Sequence, residues 1–206
     1  MAESNDLTIL KGRTFTLVLR WETTPIVYKA ITAIEQSAPA RLTVPVHGCV
    51  DGWRAAVTGV KGMTEINAEA NKVRSADYQT VTIVDANTIE FNELDASGFK
   101  AYVSGGFLQY LTPVDLTGYT GRMKIKDKVG GTVLLSSSAP DAPLNVIDIA
   151  VNNTAKTITL TVHASATTDI SWSRGVYDLE MVSSDLEPVV TRLISGKVSV
   201  IDEVTT

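Results

Sequence analysis

His47 to Asn67 reads HGCVDGWRAAVTGVKGMTEIN. Gly48, Gly52, Gly59 and Gly62 punctuate a short apolar run there. Glycine accepts the positive φ angles that other residues resist, so this spacing predicts tight turns between very short strands. Nothing in the stretch forms a catalytic constellation. It predicts a small all-β module whose role is structural or binding.

The neighbouring sequence extends the pattern. From about Ile31 to Gly106, short strand candidates follow one another: Ile31 to Ile34, Ala40 to Val46, Trp53 to Val60, Gln79 to Val84 and Thr88 to Asn92. Asp85, Ala86 and Asn87 fall between the last two as a hairpin loop. Short strands with close turns predict a small barrel or rolled sheet. Thr64 to Ser75 reads as an extended connection with room for one helical turn.

The flanks alternate with period two over longer runs. In Thr14 to Trp21, Phe15, Leu17, Leu19 and Trp21 face one way and Thr14, Thr16, Val18 and Arg20 the other. Met123 and Ile125 alternate with Arg122, Lys124 and Lys126; Ile158, Leu160 and Val162 with threonines; Tyr177, Leu179 and Met181 with Asp178 and Glu180. Such strands bury one face and wet the other, as in an antiparallel sandwich. Gly130-Gly131 and Asn152-Asn153 mark turns, Ser136 to Ser138 with Pro140 and Pro143 a loop, and Ala164 to Ile170 a single helical turn. Thr14 to Trp21 lacks a partner nearby, and the C-terminal part lacks a first strand. The expected architecture is therefore an insertion: a sandwich of residues 1–29 and 110–206 interrupted by a small barrel-like domain of residues 30–109.

Composition narrows the function. The chain has 206 residues, 44% hydrophobic and 20% charged, which suits a globular core. A net charge of −5 argues against coating nucleic acid, which wants clustered cations. The alternating Arg122, Lys124, Lys126 and Lys128 read as the wet face of one strand. No apolar run approaches the ~20 residues that span a bilayer. MAESNDLTIL has no basic n-region before an apolar core, so a soluble product made in the cytoplasm is expected. Cys49 is the one cysteine, which excludes an intrachain disulfide.

Chemistry is sparse. His47, His163 and Cys49 do not make a zinc spacing, and neither a Gly-x-Ser-x-Gly elbow nor a phosphate loop occurs. No catalytic, metal or cofactor residues are assigned. Cys49, two residues from His47, reads as a buried small hydrophobe. Asp51, Glu65, Glu90, Glu93 and Asp95 supply carboxylates, but paired catalysis needs a set separation in a cleft, and acids in turns usually serve their own backbone. The aromatics Trp53, Tyr78, Phe91, Phe99, Tyr102 and Phe107 either fill the middle module's core or place one or two, Trp53 and Tyr102, at the surface as sugar or protein contacts.

Two resemblances complete the reading. HGCVDGWRAAVTGVKGMTEINAE, followed by Thr88 to Asn92 (TIEFN) and Phe99 to Gly106 (FKAYVSGG), resembles a small β-module of bacteriophage proteins. That module is similar to the first catalytic cysteine half-domain of ubiquitin-activating enzymes. The half-domain carries no catalytic cysteine, so the resemblance gives Cys49 no chemistry. The flanks, KGRTFTLVLRW (Lys11 to Trp21), PVDLTGYTGRMKIK (Pro113 to Lys126), GVYDLEM (Gly175 to Met181) and RLISGKVSVIDEVT (Arg192 to Thr205), resemble the immunoglobulin-like sandwich of tail and baseplate-associated proteins of tailed phages.

The resemblances imply a non-enzymatic virion structural protein located in the tail: a tail or baseplate component, or an adaptor for tail fibres. Its partners would be other tail proteins and copies of itself in a symmetric assembly, with no nucleic acid and no membrane. The alternatives are a module that binds a host-surface receptor or glycan, and a capsid decoration protein. The N-terminal Ala2 to Leu10 and C-terminal Val198 to Thr206 are the expected docking segments.

Overall fold

The computed structural model describes residues 3–68, 73–138 and 145–203. The strands begin with β1 (Glu3–Ser4), β2 (Leu7–Leu10), β3 (Phe15–Leu19) and β4 (Glu22–Ala30). Next come β5 (Ala33–Glu35), β6 (Ala40–Thr43), β7 (Arg54–Thr58), β8 (Gln79–Asp85), β9 (Thr88–Phe91) and β10 (Phe107–Pro113). The last are β11 (Thr120–Lys126), β12 (Val133–Ser136), β13 (Ile147–Asn152), β14 (Thr157–Val162), β15 (Arg174–Val182) and β16 (Val190–Ile201). The helical parts are 3-10 turns at Thr64–Ile66 and Ser75–Asp77 and one short helix, α1 (Ala164–Thr168). The chain is all-β, and it divides into two compact units: Met1–Trp21 with Asp115–Thr206, and Glu22–Val114.

The discontinuous unit is a sandwich. One sheet orders its strands β1-β16-β15-β11-β12, with β2 also on β16; the other is β13-β14-β3. The alternation of β14 and β15 survives intact: Ile158, Leu160 and Val162, and Tyr177, Leu179 and Met181, are all buried. Met123 and Ile125 join them from β11. Thr14 to Trp21 finds its partner far down the chain, with Thr16 opposite Thr161 and Leu17 opposite Leu160. The two sheets approach closely, for a Cβ on Gly121 of β11 would lie 2.4 Å from the Ile149 side chain of β13.

The chain ends depart from expectation. Leu7–Leu10 pairs in parallel with Val198–Ile201, and Leu7 and Ile9 are buried. These segments are strands of the sandwich, held by its core, and are not free docking arms. Ala2 and residues 204–206 of those proposed segments lie outside the described residues, as do Pro140 and Pro143.

The inserted unit is one seven-stranded sheet, β4-β10-β7-β8-β9-β6-β5. It is open: among the described residues no ladder joins β4 to β5, so the expected barrel does not close. The sheet still wraps a core of its own, with Leu42, Trp53, Met63, Ile89, Phe91 and Leu108 fully buried. The expected breaks near 29 and 110 fall inside strands. β4 and β10 pair along their lengths, from Phe107 opposite Ala30 to Pro113 opposite Glu22. Both strands therefore belong to the insertion, which the chain enters and leaves at adjacent points.

Glycine closes the loops of this unit where nothing else fits. Gly62 has φ +90°, and a Cβ there would sit 2.3 Å from the Ala101 carbonyl oxygen. The hairpin at Asp85 to Asn87 forms as expected, with a bulge between Ile83 and Asp85.

Candidate functional site

The residues singled out from the sequence serve the inserted unit's structure. Trp53 has no exposed surface, and its indole N–H donates to the Leu111 carbonyl at 3.1 Å. It anchors the core, and the surface-contact reading of Trp53 fails. Tyr102 is half-buried against the same core, with its hydroxyl 3.1 Å from both the Ile31 and Gly105 carbonyls. Its polar end is therefore occupied within the fold.

His47 and Cys49 lie in a loop rather than a strand. The Cys49 N–H donates to His47 Nδ1 at 3.0 Å, so Nδ1 is an acceptor and the ring proton sits on Nε2, which reaches the Asp85 carbonyl at 2.8 Å. The Tyr110 hydroxyl donates to the His47 carbonyl at 2.6 Å. Burial pushes the Cys49 thiol up to about 12 and the Tyr110 hydroxyl up to about 12. A thiol held protonated is no nucleophile. This cluster pins a turn.

Four of the five acids are also employed. Asp51 accepts from the Ile83 N–H, Glu65 from the Lys100 N–H, and Asp95 from the Ser97 hydroxyl and N–H. Glu90 pairs with Arg41 at 2.6 Å. Hydrogen bonds from Ser97 hold the Asp95 carboxyl below the usual carboxylate range, and one from the Asn87 N–H does the same for Asp85. Among the described residues, no group of three or more His, Cys, Asp or Glu is placed to hold a metal, and no helix is long and apolar enough to cross a membrane.

Surfaces remain. On the sandwich, the wet face of β11, β15 and β16 carries charge in rows. Arg122 and Lys124 stand opposite Glu180 and Asp178, and Arg192 flanks them from β16. Arg122 Nε is 2.8 Å from Glu180, and Arg192 Nε is 3.5 Å from Asp178. With Lys126 they line an open groove of about 790 Å³. Pairs this exposed contribute roughly 0.2–1 kcal/mol each, so the rows offer a charge pattern more than stability. Arg122, Lys124 and Lys126 thus share the strand face that their alternation predicts.

The inserted unit presents a different surface. On the outer face of β4 and β10, Tyr28 (56% exposed) and Phe107 (49% exposed) meet edge to face, centroids 6.5 Å apart. The sequence reading passed over Tyr28 and weighed Phe107 only among core aromatics. Their exposure depends on which face of β10 is turned outward. The buried neighbours Leu108 and Tyr110 fix that, and it becomes visible only once the strands are paired.

No protein-family model matches the chain, and no curated protein matches it.

Proposed function

We infer that this chain is a structural component of a tailed-phage virion, in the tail or baseplate, acting by assembly with neighbouring virion proteins and copies of itself. The observation that carries the reading is the construction. Leu7–Leu10 and Val198–Ile201 are paired strands of one sandwich, and a second sheet with its own core is inserted between Trp21 and Asp115. That is the build of an anchoring unit that carries a displayed module, and it agrees with the phage resemblances of both parts. The charged rows of β11, β15 and β16 offer a patterned face suited to repeated contacts in a symmetric ring.

Immunogold labelling of virions with antibody to this chain tests it. Gold on the tail or its base is expected. Gold on heads would make it a capsid decoration protein, and unlabelled virions would overturn the structural reading altogether.

A second reading, that the inserted unit contacts a host receptor or glycan, has one specific observation in its favour: the exposed Tyr28–Phe107 pair.

A further inference from the structure

We propose that the tip of the β15–β16 hairpin, Asp185-Leu186-Glu187, docks in the cationic groove on the outer face of β11, β15 and β16 of a second copy of this chain. The proposal rests on the assembly reading above and names the two surfaces through which copies meet.

The tip is a held knob. Val182 opposite Val190 is the last pair of the hairpin. Beyond it, buried Ser183 clasps the loop. Its N–H donates to the Val189 carbonyl at 3.0 Å, and its hydroxyl accepts from the Val189 N–H at 2.9 Å and donates to the Asp185 carboxylate at 2.7 Å. Above this clasp Leu186 is fully exposed, and Val189 and Val190 are exposed behind it. A turn needs only small or polar residues, so the fold gains nothing from a large apolar side chain held out between two carboxylates. An apolar patch with a charged rim is the mark of a contact surface. A loop ordered in advance also loses little entropy on docking.

The groove supplies the complement. Alternation along β11 turns Arg122, Lys124 and Lys126 outward and buries Met123 and Ile125. Arg192 joins them from β16. Among the described residues that line the groove, these four cations face two carboxylates, Asp178 and Glu180, which leaves a surplus of two positive charges along an opening of about 790 Å³. That surplus stands on a chain whose net charge is −5. Val129, Val176 and the methylene stems of the lysines give the groove an apolar seat.

Charge and shape together select the occupant. The tip offers two carboxylates around one apolar side chain; the groove offers surplus cations around an apolar seat. Leu186 is fully exposed, so the tip does not lie in its own groove. The tip stands at the end of the sheet and the groove on its face. A contact between two different surfaces is heterologous: it repeats from copy to copy, and closes into a ring or runs on as a filament. Nucleic acid fits less well, because Asp178 and Glu180 stand among the cations and repel phosphate. Exposed charge pairs are individually weak and screened by salt, so a single contact is weak and a closed ring of them is strong.

The test is sedimentation velocity on the full chain at concentrations up to about 1 mM. Association should grow with concentration at about 50 mM NaCl and weaken at least about tenfold at about 500 mM. Leu186→Ala should weaken it at least about tenfold with an unchanged thermal midpoint, since that side chain supports nothing in the single chain. Reversing the groove (Lys124→Glu with Lys126→Glu) and reversing the tip (Asp185→Lys with Glu187→Lys) should each give a monomer that still melts cooperatively. An equal mixture of the two reversed variants should associate again, because each tip then finds a groove of opposite charge. The proposal is overturned if the parent stays monomeric at low salt, if association survives either reversal, or if the mixture of two folded variants stays monomeric. A monomeric parent that binds heparin through Lys124 and Lys126 would also overturn it and assign the groove to a polyanion. Gold on virion tails with a monomeric chain sinks this contact alone; unlabelled virions with rescue in the mixture sink the virion reading alone.

Discussion

The sandwich and the inserted sheet solve the same problem in different ways. In the sandwich, two sheets share the core, and plain alternation does the work: β14 and β15 each bury every second residue. The inserted unit has a single sheet, so its core is closed by wrapping and by loops. β7 runs Arg54, Ala55, Ala56, Val57, Thr58 with three consecutive buried residues. Polar side chains then stitch the loops: the Trp53 indole to Leu111, the Tyr110 hydroxyl to His47, the Tyr102 hydroxyl to Ile31. Two facing sheets need a pattern, while one wrapped sheet needs particular residues at particular places. The second design is more sensitive to single substitutions in loops, and several experiments can break or sharpen that contrast.

The largest effect should come from the core of the inserted unit. Trp53→Ala removes the biggest buried side chain and its hydrogen bond, and should cost about 3–5 kcal/mol in guanidinium unfolding. Leu179→Ala, the comparable deletion in the sandwich, should cost about 2–5 kcal/mol. A Trp53→Ala variant as stable as the parent would remove the inserted core from the account.

Loop glycines come next. Gly62→Ala imposes a positive-φ penalty and drives a methyl into backbone, for about 2–4 kcal/mol. Gly130→Ala in the sandwich also has positive φ (+74°) but meets nothing within 4 Å, so only about 1 kcal/mol is expected. Equal costs in thermal melts would erase the contrast.

Cys49 reports on the inserted unit from within. Its thiol is pushed up to about 12 by burial, so at pH 8 the native protein should react slowly with an aromatic disulfide reagent. In denaturant the thiol regains its ordinary value near ~8.5 and should react fast. Rapid reaction of the native protein would mean that this core opens readily.

The smallest effect is acid sensitivity. Asp85 and Asp95 in the inserted unit, and Asp115 in the sandwich, are held below their ordinary value by hydrogen bonds from Asn87, Ser97 and Thr117. A carboxylate lowered by folding stabilises the fold above its unfolded pKa, and that contribution disappears as pH falls through the lower folded value. Stability should therefore begin to drop below about pH 4. Asp95→Asn should flatten part of that drop in a urea series run at several pH values.

This contrast also explains what could be read from the sequence. The strands of the sandwich are plain in Thr157 to Val162 and Tyr177 to Met181, because each strand carries its own burial pattern. The split between flanks and insertion followed from the partnerless Thr14 to Trp21. The boundaries did not follow: β4 and β10 have mixed patterns, since β4 lies at a sheet edge and exposes residues on both faces. Trp53 looked ambiguous because it precedes its strand, and its burial is fixed by Leu111, far along the chain. Tyr28 and Phe107 gave no local signal. Their contact comes from the register of β4 and β10, which sets Tyr28 opposite Gln109 and Ala30 opposite Phe107.

Native-state hydrogen exchange on the Trp53→Ala chain measures most directly whether the two units hold separate cores. Amides of Glu22–Val114 should lose protection while those of β11, β14, β15 and β16 keep theirs. Equal loss of protection in both sets would contradict the account, because it would mean that a single core holds the whole chain.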